Sequence, residues 1–289
     1  MALIVTLFTL LNKKSLGDRT INRSGWSLDI RNPQTIHKLM PLWKFLYDYY
    51  FRVQTDGWHH IPEEKVLLVG SHNGGLAAPD MVMCMYDWFR RFGTDRLVYG
   101  LMHPNVWKMN LGMAQLAAET GAIAAHPKMA IAALQKNASV LVYPGGAQDV
   151  FRPHSQRHKI NLAGRKGFIK LALRENVPIV PVISTGAHDT LFVLDDFYDW
   201  AKQLHQWGMP WLLNLDPQVF PIYFGLPWGI SVGPLPNIPL PVQIKTRVCP
   251  PITFEKYGNQ AVRDRSYVDS CYDLVVKQMQ KQLDDLSQN

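Results

Sequence analysis

Short apolar runs alternate with segments of helical periodicity through the middle of the chain. Buried strands are predicted where an apolar run ends in turn residues, at 66–71, 97–101, 139–143 and 178–184. Helices are predicted at 79–92, 105–119, 127–136 and 164–174. Because strands alternate with helices, the sequence predicts an α/β fold with a mainly parallel sheet flanked by helices.

Both ends of the chain are predicted to be helical. Residues 1–55 are expected to form an N-terminal helical, membrane-associating segment, and residues 56–289 an α/β domain. Residues 2–11 are apolar but too few to span a bilayer, which takes about 20 residues, and they lack the flanks of a secretory signal. Apolar residues at helical spacing predict an amphipathic helix near the carboxyl end: Val268, Cys271, Tyr272, Val275, Met279, Leu283 and Leu286.

Two further segments point to a membrane surface. Residues 39–53 are rich in Trp, Tyr and Phe, with Lys44 and Arg52 between them. That composition suits a membrane interface, and equally an aromatic helix packed on the core. Residues 217–244 carry no charge but contain seven prolines, which rule out a membrane-spanning helix. We therefore expect irregular structure there, and a peripheral rather than a spanning protein.

The composition of the chain excludes some classes of protein and favours others. The 289 residues are 47% hydrophobic and 18% charged, too apolar for a disordered chain. Three cysteines are too few for a disulfide framework or a zinc site, so we expect a reducing compartment. The net charge of +7 is spread among aromatic residues. It favours a lipid surface or a phosphate-bearing ligand, or is a solvated basic face without a partner.

Candidate chemistry begins where the first predicted strand ends, in the block 71–80. His72 follows the strand, where an imidazole can act as a general base. Gly74 and Gly75 allow close approach of the backbone, and the start of the next helix offers N–H groups to an oxyanion or a phosphate. Asn73 joins the two glycines as a candidate substrate contact. Asp80 either orients the imidazole or serves only as a charge at the helix start.

A second block follows the predicted strand at 139–143. Gly145 and Gly146 suit a tight turn against a ligand, and Asp149 and Arg152 are the nearest polar groups. Carboxyl ends of parallel strands share one edge of a sheet, so these candidate substrate contacts are expected beside His72.

A third block is basic and lies at the start of the helix predicted at 164–174. Arg165, Lys166 and Lys170 cluster there. Arg165 and Lys166 are candidate contacts to phosphates of a cofactor or a lipid head group. The alternative is a solvated helix face.

The order of these blocks resembles a known family. The motifs are SHNGGLAAPD at 71–80, GAI at 121–123, YPGGAQD at 143–149, RKGFIKLAL at 165–173, PIVPV at 178–182 and GPLP at 233–236. Together they resemble the glycerolipid acyltransferase superfamily, and within it the diacylglycerol acyltransferase-like branch, over roughly residues 65–285. The resemblance implies that His72 is catalytic and that a fatty acyl group passes from a thioester to a lipid hydroxyl.

Departures from the family pattern bear on the substrate. Ala77 stands where the commonest form has Asp, which leaves the pairing of His72 with Asp80 open. Gly145 replaces the Glu of phosphate-binding members, and residues 124–126 lack their Arg. These departures imply a neutral acceptor, such as diacylglycerol or a long-chain or isoprenoid alcohol. Asp149 lies where the branch usually has Glu.

The expected reaction uses no cofactor and no metal, with acyl-CoA or an acyl carrier protein as the co-substrate. Expected partners are a membrane lipid, an acyl thioester and the membrane surface, with no nucleic acid, because no nucleic-acid motif is present. The expected location is peripheral on a membrane, facing the cytoplasm or an equivalent reducing compartment. The alternatives are a lysophospholipid acyltransferase, and a thioesterase or lipid-binding protein on the same fold. The acceptor, the acyl chain length and the oligomeric state stay open.

Overall fold

The computed structural model of the protein describes residues 25–104, 107, 111–211 and 218–288. The apolar stretch at 2–11, and with it the first part of the N-terminal segment expected over 1–55, lies outside the described residues. Of the helix predicted at 105–119, the described part is a helix at Leu111–Glu119.

Strands form two separate sheets in the described residues. Their bounds are β1 Gln54–Asp56, β2 Leu67–Gly70, β3 Val98–Met102, β4 Ala122–Ala124, β5 Ser139–Val142, β6 Ile179–Thr185, β7 Phe192–Asp196, β8 Pro221–Gly225, β9 Gly229–Val232 and β10 Lys245–Val248. Each of the four predicted strands is present, with ends shifted by at most one or two residues.

The main sheet has the strand order β1-β10-β6-β2-β5-β3-β4. Every neighbouring pair from β6 to β4 is parallel. The strand direction reverses at the β1 end of the sheet, where β10 runs antiparallel to β6 and parallel to β1. The predicted α/β fold with a mainly parallel sheet is therefore confirmed.

Helices cover both faces of the main sheet. Their bounds are α1 Pro33–Phe45, α2 Pro79–Phe92, α3 Leu111–Glu119, α4 Pro127–Gln135, α5 Gly146–Val150, α6 Gly167–Glu175, α7 Tyr198–Gln206, α8 Gly258–Arg263 and α9 Arg265–Gln288. The bounds of α2 are those predicted, because Pro79 favours the first helical position and Gly93 ends the helix with a positive φ.

Two cores lie on opposite faces of the main sheet. On β2, Leu67 packs with α4, α6 and α9, whereas Leu68 packs with α1 and α2. Successive strand residues point to opposite faces, so a fully buried strand such as β2 supplies both cores. The long helix α9 buries the apolar stripe that its sequence predicts. This rigid three-layer framework holds the turns at the ends of β2 and β5.

The aromatic segment at 39–53 has one packed side and one exposed side. Tyr47 and Phe51 are buried, and the ring of Tyr47 lies 5.2 Å from that of Tyr86 on α2. Phe45 and Tyr49 are exposed, with ring centroids 5.8 Å apart. One side of the segment therefore packs on the core, and the other side exposes an aromatic pair.

The second sheet is small and antiparallel, in the order β7-β8-β9. Two of its strands fall in residues 217–244, so the expectation of irregular structure there is wrong for this part. Pro221 takes the first position of β8 and Pro227 lies in the turn before β9. Proline is tolerated at those positions because no ladder hydrogen bond is lost in the middle of the sheet. Within the described residues, no helix combines the length and the apolar character needed to cross a bilayer.

Candidate active site

The candidate site lies at the carboxyl ends of the neighbouring strands β2 and β5. The strands are parallel, with Val69 beside Val142, so the turns that follow them meet at one edge of the main sheet. The first turn carries His72 and the second carries Gly145. The structure thus brings the first two sequence blocks together.

His72 lies at the surface of this edge, with 18% of its side chain exposed. Its ring centroid is 4.6 Å from that of Tyr143, and the rings are tilted by 34°. The Nδ1 atom is buried and has no hydrogen-bond partner among the described residues. The accessible part of the ring therefore lies away from Nδ1, which leaves Nε2 as the nitrogen that a substrate reaches.

Asp80, near the start of α2, faces the buried side of this imidazole. Its Oδ1 atom lies 3.8 Å from Nδ1 of His72, too long for a hydrogen bond. The Asn73 amide donates to Oδ2 at 3.1 Å, and the Met81 N–H donates to Oδ1 at 2.8 Å. The carboxylate is anchored by the protein, and a hydrogen bond to His72 needs the two groups to approach by roughly 1 Å.

A buried ion pair holds the backbone of His72 from both sides. Asp149 is fully buried and Arg152 nearly so, with Nη1 of Arg152 2.8 Å from Oδ1 of Asp149. The backbone N–H of His72 donates to the Asp149 carboxylate, and Arg152 donates to the His72 carbonyl at 2.7 Å. Because charge-assisted hydrogen bonds are among the strongest in proteins, this clamp fixes the position of the imidazole.

Further donors stabilise the Asp149 carboxylate. The Ser71 hydroxyl lies 3.1 Å from both of its oxygens. Burial raises the pKa of Asp149 to about 6, while the nearby Arg152 and the His72 N–H work against that rise. The carboxyl is therefore largely ionised at neutral pH, so the clamp is a pair of opposite charges.

The polar atoms of Asn73, Asp149 and Arg152, three of the predicted substrate contacts, are hydrogen-bonded to other residues of this network. Arg152 also donates to Oδ1 of Asn73 and to the carbonyls of Gln156 and Arg157. The amide of Asn73 donates to Asp80 and to the Ser71 carbonyl. Contact of Asn73, Asp149 and Arg152 with substrate stays a prediction, and the geometry assigns them to positioning.

Gly74 and Gly75 form a turn that other residues do not fit. Their φ angles are 78° and 67°. A Cβ atom on Gly74 would lie 2.5 Å from the Thr190 hydroxyl, and one on Gly75 would lie 2.5 Å from the Leu191 side chain. Gly75 begins a short 3₁₀ helix, and the N–H groups of Gly75 and Leu76 have no acceptor within that helix. Those N–H groups suit a developing oxyanion.

Arg165 lies at the same edge of the sheet, against the turn at Gly145 and Gly146. Nη1 of Arg165 donates to the carbonyl of Pro144 at 2.9 Å, and a side chain on Gly146 would overlap its guanidinium. Arg165 is exposed. Lys166 is elsewhere: it pairs at 2.8 Å with Asp269 on α9. Of the two basic candidates, only Arg165 is placed beside the glycine turns.

Several residues at the site were not singled out from the sequence. Tyr143 packs on His72, and burial raises the pKa of its hydroxyl well above the usual value. Asn237 accepts the N–H of Ala77 at 3.3 Å and donates to the Gly74 carbonyl at 3.2 Å. The only signal for Asn237 was its place directly after the GPLP motif, as the one amide among residues 233–241. Its contact with the His72 turn joins residues more than 160 positions apart, which spacing does not reveal.

The sequence matches a protein-family model and several known proteins. A family model described as diacylglycerol acyltransferase matches residues 30–285. An uncharacterised protein of Mycobacterium tuberculosis (strain ATCC 25618 / H37Rv) is 23% identical over 281 residues, or 97% of this chain and 73% of that protein. The 2-acylglycerol O-acyltransferase 3 of Homo sapiens is 22% identical over 82% of this chain and 70% of its own length. The diacylglycerol O-acyltransferase 2 of Danio rerio is 25% identical over 74% of this chain and 60% of its own length.

Among solved structures, that of the 1-acyl-sn-glycerophosphate acyltransferase PlsC from Thermotoga maritima is similar. Its TM-score is 0.47 at 14% identity, over 96% of this chain and 89% of that one. The family match, by contrast, spans nearly the whole sequence and all the site residues described above. The chain belongs to the diacylglycerol acyltransferase family and is an acyltransferase.

Proposed function

We propose that this acyltransferase moves a fatty acyl group from a thioester to the hydroxyl of a neutral lipid, with His72 as the general base. The observation that carries the proposal is the placement of the imidazole. It is partly exposed at the carboxyl edge of the main sheet, while its buried Nδ1 faces the Asp80 carboxylate at 3.8 Å.

In the proposed mechanism, the acceptor hydroxyl gives its proton to Nε2 of His72 as its oxygen bonds to the thioester carbonyl carbon. Asp80 stabilises the imidazolium that forms. The tetrahedral intermediate then collapses with cleavage of the C–S bond, and the proton passes from His72 to the leaving thiolate. The products are an ester and a thiol. Removing a general base costs about 10²–10⁴ in rate.

Backbone donors are available for the charge that develops on the carbonyl oxygen. The N–H groups of Gly75 and Leu76, the first of the 3₁₀ turn, lie three and four residues after His72. The turn at Gly145 and Gly146 follows the neighbouring strand, and the Gly146 N–H makes a long hydrogen bond of 3.4 Å to the Tyr143 carbonyl. Fixed N–H donors are effective because they need no reorganisation during the reaction. We assign the oxyanion site to these two glycine turns.

The charges at the edge favour a neutral acceptor. Arg152 is buried against Asp149, and Lys166 is paired with Asp269. Arg165 remains exposed at the glycine turns, where we assign it to phosphates of the thioester donor. The names of two relatives, a 2-acylglycerol acyltransferase and a diacylglycerol acyltransferase, support the same choice.

The experiment is an acceptor panel with purified protein and labelled acyl-CoA, repeated with acyl carrier protein as the donor. Its arms are a 2-acylglycerol, a diacylglycerol, a long-chain alcohol, lysophosphatidate and no acceptor. We expect a labelled neutral ester, and its loss in His72→Ala. Preference for lysophosphatidate, or release of free fatty acid without an acceptor, would contradict the proposal.

A matched control comes from another histidine at the end of a strand. His126 follows β4 of the same sheet, and its ring accepts the N–H of Lys128 at the start of α4. His126→Asn keeps a side-chain cap for that helix. We expect this variant to retain transfer activity, so that loss of activity is specific to His72.

A further inference from the structure

The outward side of the small antiparallel sheet is apolar. We call the exposed side chains of Phe192, Leu194, Phe224, Ile230 and Val232 the apolar face. They alternate along β7, β8 and β9 with buried residues that point the other way. Antiparallel sheets with one solvated side usually carry polar residues there, so this sheet has the reverse of the expected pattern.

The apolar face is continuous across the three strands. Phe192 pairs with Phe224, and Phe224 pairs with Ile230, so three large side chains form one row. Ile230 is 75% exposed. The β8–β9 turn extends the row with Leu226 and Trp228, which are also exposed. Contiguous exposed apolar surface of this kind marks an interaction site.

The charges around the apolar face are arranged unevenly. No charged residue occurs between positions 217 and 244. At one end of β7, Phe192 touches the ring of His154, at the start of a segment that carries Arg157 and Lys159. Asp189 lies there too, 2.8 Å from His154 and 3.9 Å from Arg157. At the other end lie the exposed Asp195 and Asp199. An uncharged centre with cations at one side suits insertion between lipid head groups.

The back of the same sheet touches the candidate active site. Leu191, which precedes β7, lies against Gly75, and Asn237, which follows β9, bonds to the carbonyl of Gly74. A lipid acceptor stays in its bilayer, because leaving it exposes the acyl chains to water. The protein therefore needs a bilayer next to the His72 edge, and the apolar face is the exposed surface that adjoins it.

We propose that the apolar face is a docking surface for a phospholipid bilayer, inserted by its aromatic and aliphatic side chains. The proposal rests on the proposed function for the reason why a bilayer must lie near the site. Insertion of Phe224, Ile230 and Trp228 places the turn among the head groups, where tryptophan is favoured. The exposed Lys159 adds attraction to anionic lipids, whereas Arg157 is partly neutralised by Asp189.

The test is co-sedimentation of the full chain with phosphatidylcholine vesicles, with and without phosphatidylglycerol, in the absence of substrate. We expect the wild type to bind both, and anionic vesicles more tightly. The double variant Phe224→Ser with Ile230→Ser should bind about 100-fold more weakly, at about tenfold for each side chain removed from lipid. The control Leu274→Ser changes an exposed leucine on α9 and should bind as the wild type does.

A second pair of variants examines the other exposed aromatic surface. Phe45→Ser with Tyr49→Ser removes the aromatic pair that follows α1. Loss of vesicle binding in this variant, with retention in Phe224→Ser with Ile230→Ser, would overturn the proposal. So would a wild type that binds neither vesicle, or one that is a dimer and becomes a monomer on substitution of the apolar face, since a second copy would then cover it.

The serine variants could lose vesicle binding because they misfold, so a second measurement uses the wild type and a conservative substitution. Vesicles with brominated acyl chains should quench tryptophan fluorescence in the wild type, and the quenching should fall in Trp228→Phe. Equal quenching in both proteins would place Trp228 outside the bilayer and contradict the proposal. Vesicle binding by His72→Ala distinguishes a failure of this proposal from a failure of the proposed function. The variant should bind vesicles normally, whether or not His72 is the general base.

Discussion

Replacing Arg152 with leucine removes the cation from the clamp around His72. Its guanidinium donates to the carbonyl of His72, the carboxylate of Asp149 and the side-chain oxygen of Asn73. In Arg152→Leu these acceptors stay buried but no longer receive hydrogen bonds from the guanidinium. The Asp149 charge is then held only by neutral donors, the His72 N–H and the Ser71 hydroxyl.

The expected loss in free energy of unfolding is large. Removing one partner of a buried ion pair destabilises a protein by about 3–5 kcal/mol, against a total stability of about 5–15 kcal/mol. We therefore expect the urea midpoint of Arg152→Leu to fall by about a fifth or more. Transfer activity of the remaining folded protein should fall too, because the backbone that carries the imidazole is no longer fixed.

The pH dependence of this loss identifies its cause. The pKa of Asp149 is raised to about 6 in the folded chain from 3.8, so its ionisation already opposes folding as the pH rises through that range. Without Arg152 the folded pKa rises further. The stability difference between wild type and Arg152→Leu should be largest at alkaline pH. It should shrink as the pH falls below about 6, where the carboxyl is protonated in both folded proteins.

Arg165 supplies the matched control. It lies at the same edge but is exposed, so Arg165→Ala should change stability by no more than about 0.5 kcal/mol while raising the KM for the thioester. If Arg152→Leu were as stable as the wild type and raised only KM, Arg152 would be a substrate contact and the clamp would be refuted.

Three further perturbations test the site and its surroundings. Asp80→Asn should lower kcat by about tenfold or more with little change in KM, since Asp80 acts on His72 rather than on substrate; a change confined to KM would contradict this. Gly75→Ala should cost on the order of 1–3 kcal/mol in urea unfolding, because its φ is +67° and a Cβ would meet Leu191; an unchanged midpoint would show that the turn relaxes freely. Burial lowers the pKa of His188 from 6.5 to about 3, so its neutral form stabilises the fold above pH 6.5 and that contribution, on the order of 4 kcal/mol, is lost as the pH falls towards 3. Urea unfolding of His188→Gln should show a smaller loss between pH 6.5 and 4 than the wild type, and equal acid sensitivity would count against a buried neutral imidazole.

The main sheet was predictable because its central strands are buried on both faces. Strands that are buried over most of their length, such as Leu67–Gly70 and Ser139–Val142, are largely apolar runs, and the proline and glycine at the ends of α2 define its bounds. The strand Lys245–Val248 lies between β1 and β6 and consists of three polar residues followed by a valine. Such a short run gives no clear signal, so β10 and its antiparallel direction escaped prediction.

The small sheet was missed for a different reason. Prolines through residues 217–244 suggest irregular structure, but they fall at a strand start and in a turn, as Pro221 and Pro227 show. Between them, Tyr223 points inwards and Phe224 outwards. Because both sides of the strand are apolar, the period of two that identifies a half-buried strand is absent.

The site was predictable as a set of residues but not as a set of roles. The strand ends and glycine turns of the sequence predicted His72, Asp80 and the glycines as candidates, and the parallel neighbours β2 and β5 bring these together. Burial of Asp149 and Arg152 could not be known from spacing, since the same polar residues at a sheet edge serve equally as substrate contacts. Their positions became clear only when each donor was matched to an acceptor.

The most direct measurement of the central claim is chemical rescue of His72→Ala. We expect ester formation to fall by about 10²–10⁴ and to recover in part when imidazole is added, because a free base then takes the proton from the acceptor hydroxyl. Rescue should be absent in Asp80→Asn, whose imidazole is intact. A folded His72→Ala that forms ester at the wild-type rate without imidazole would contradict the account.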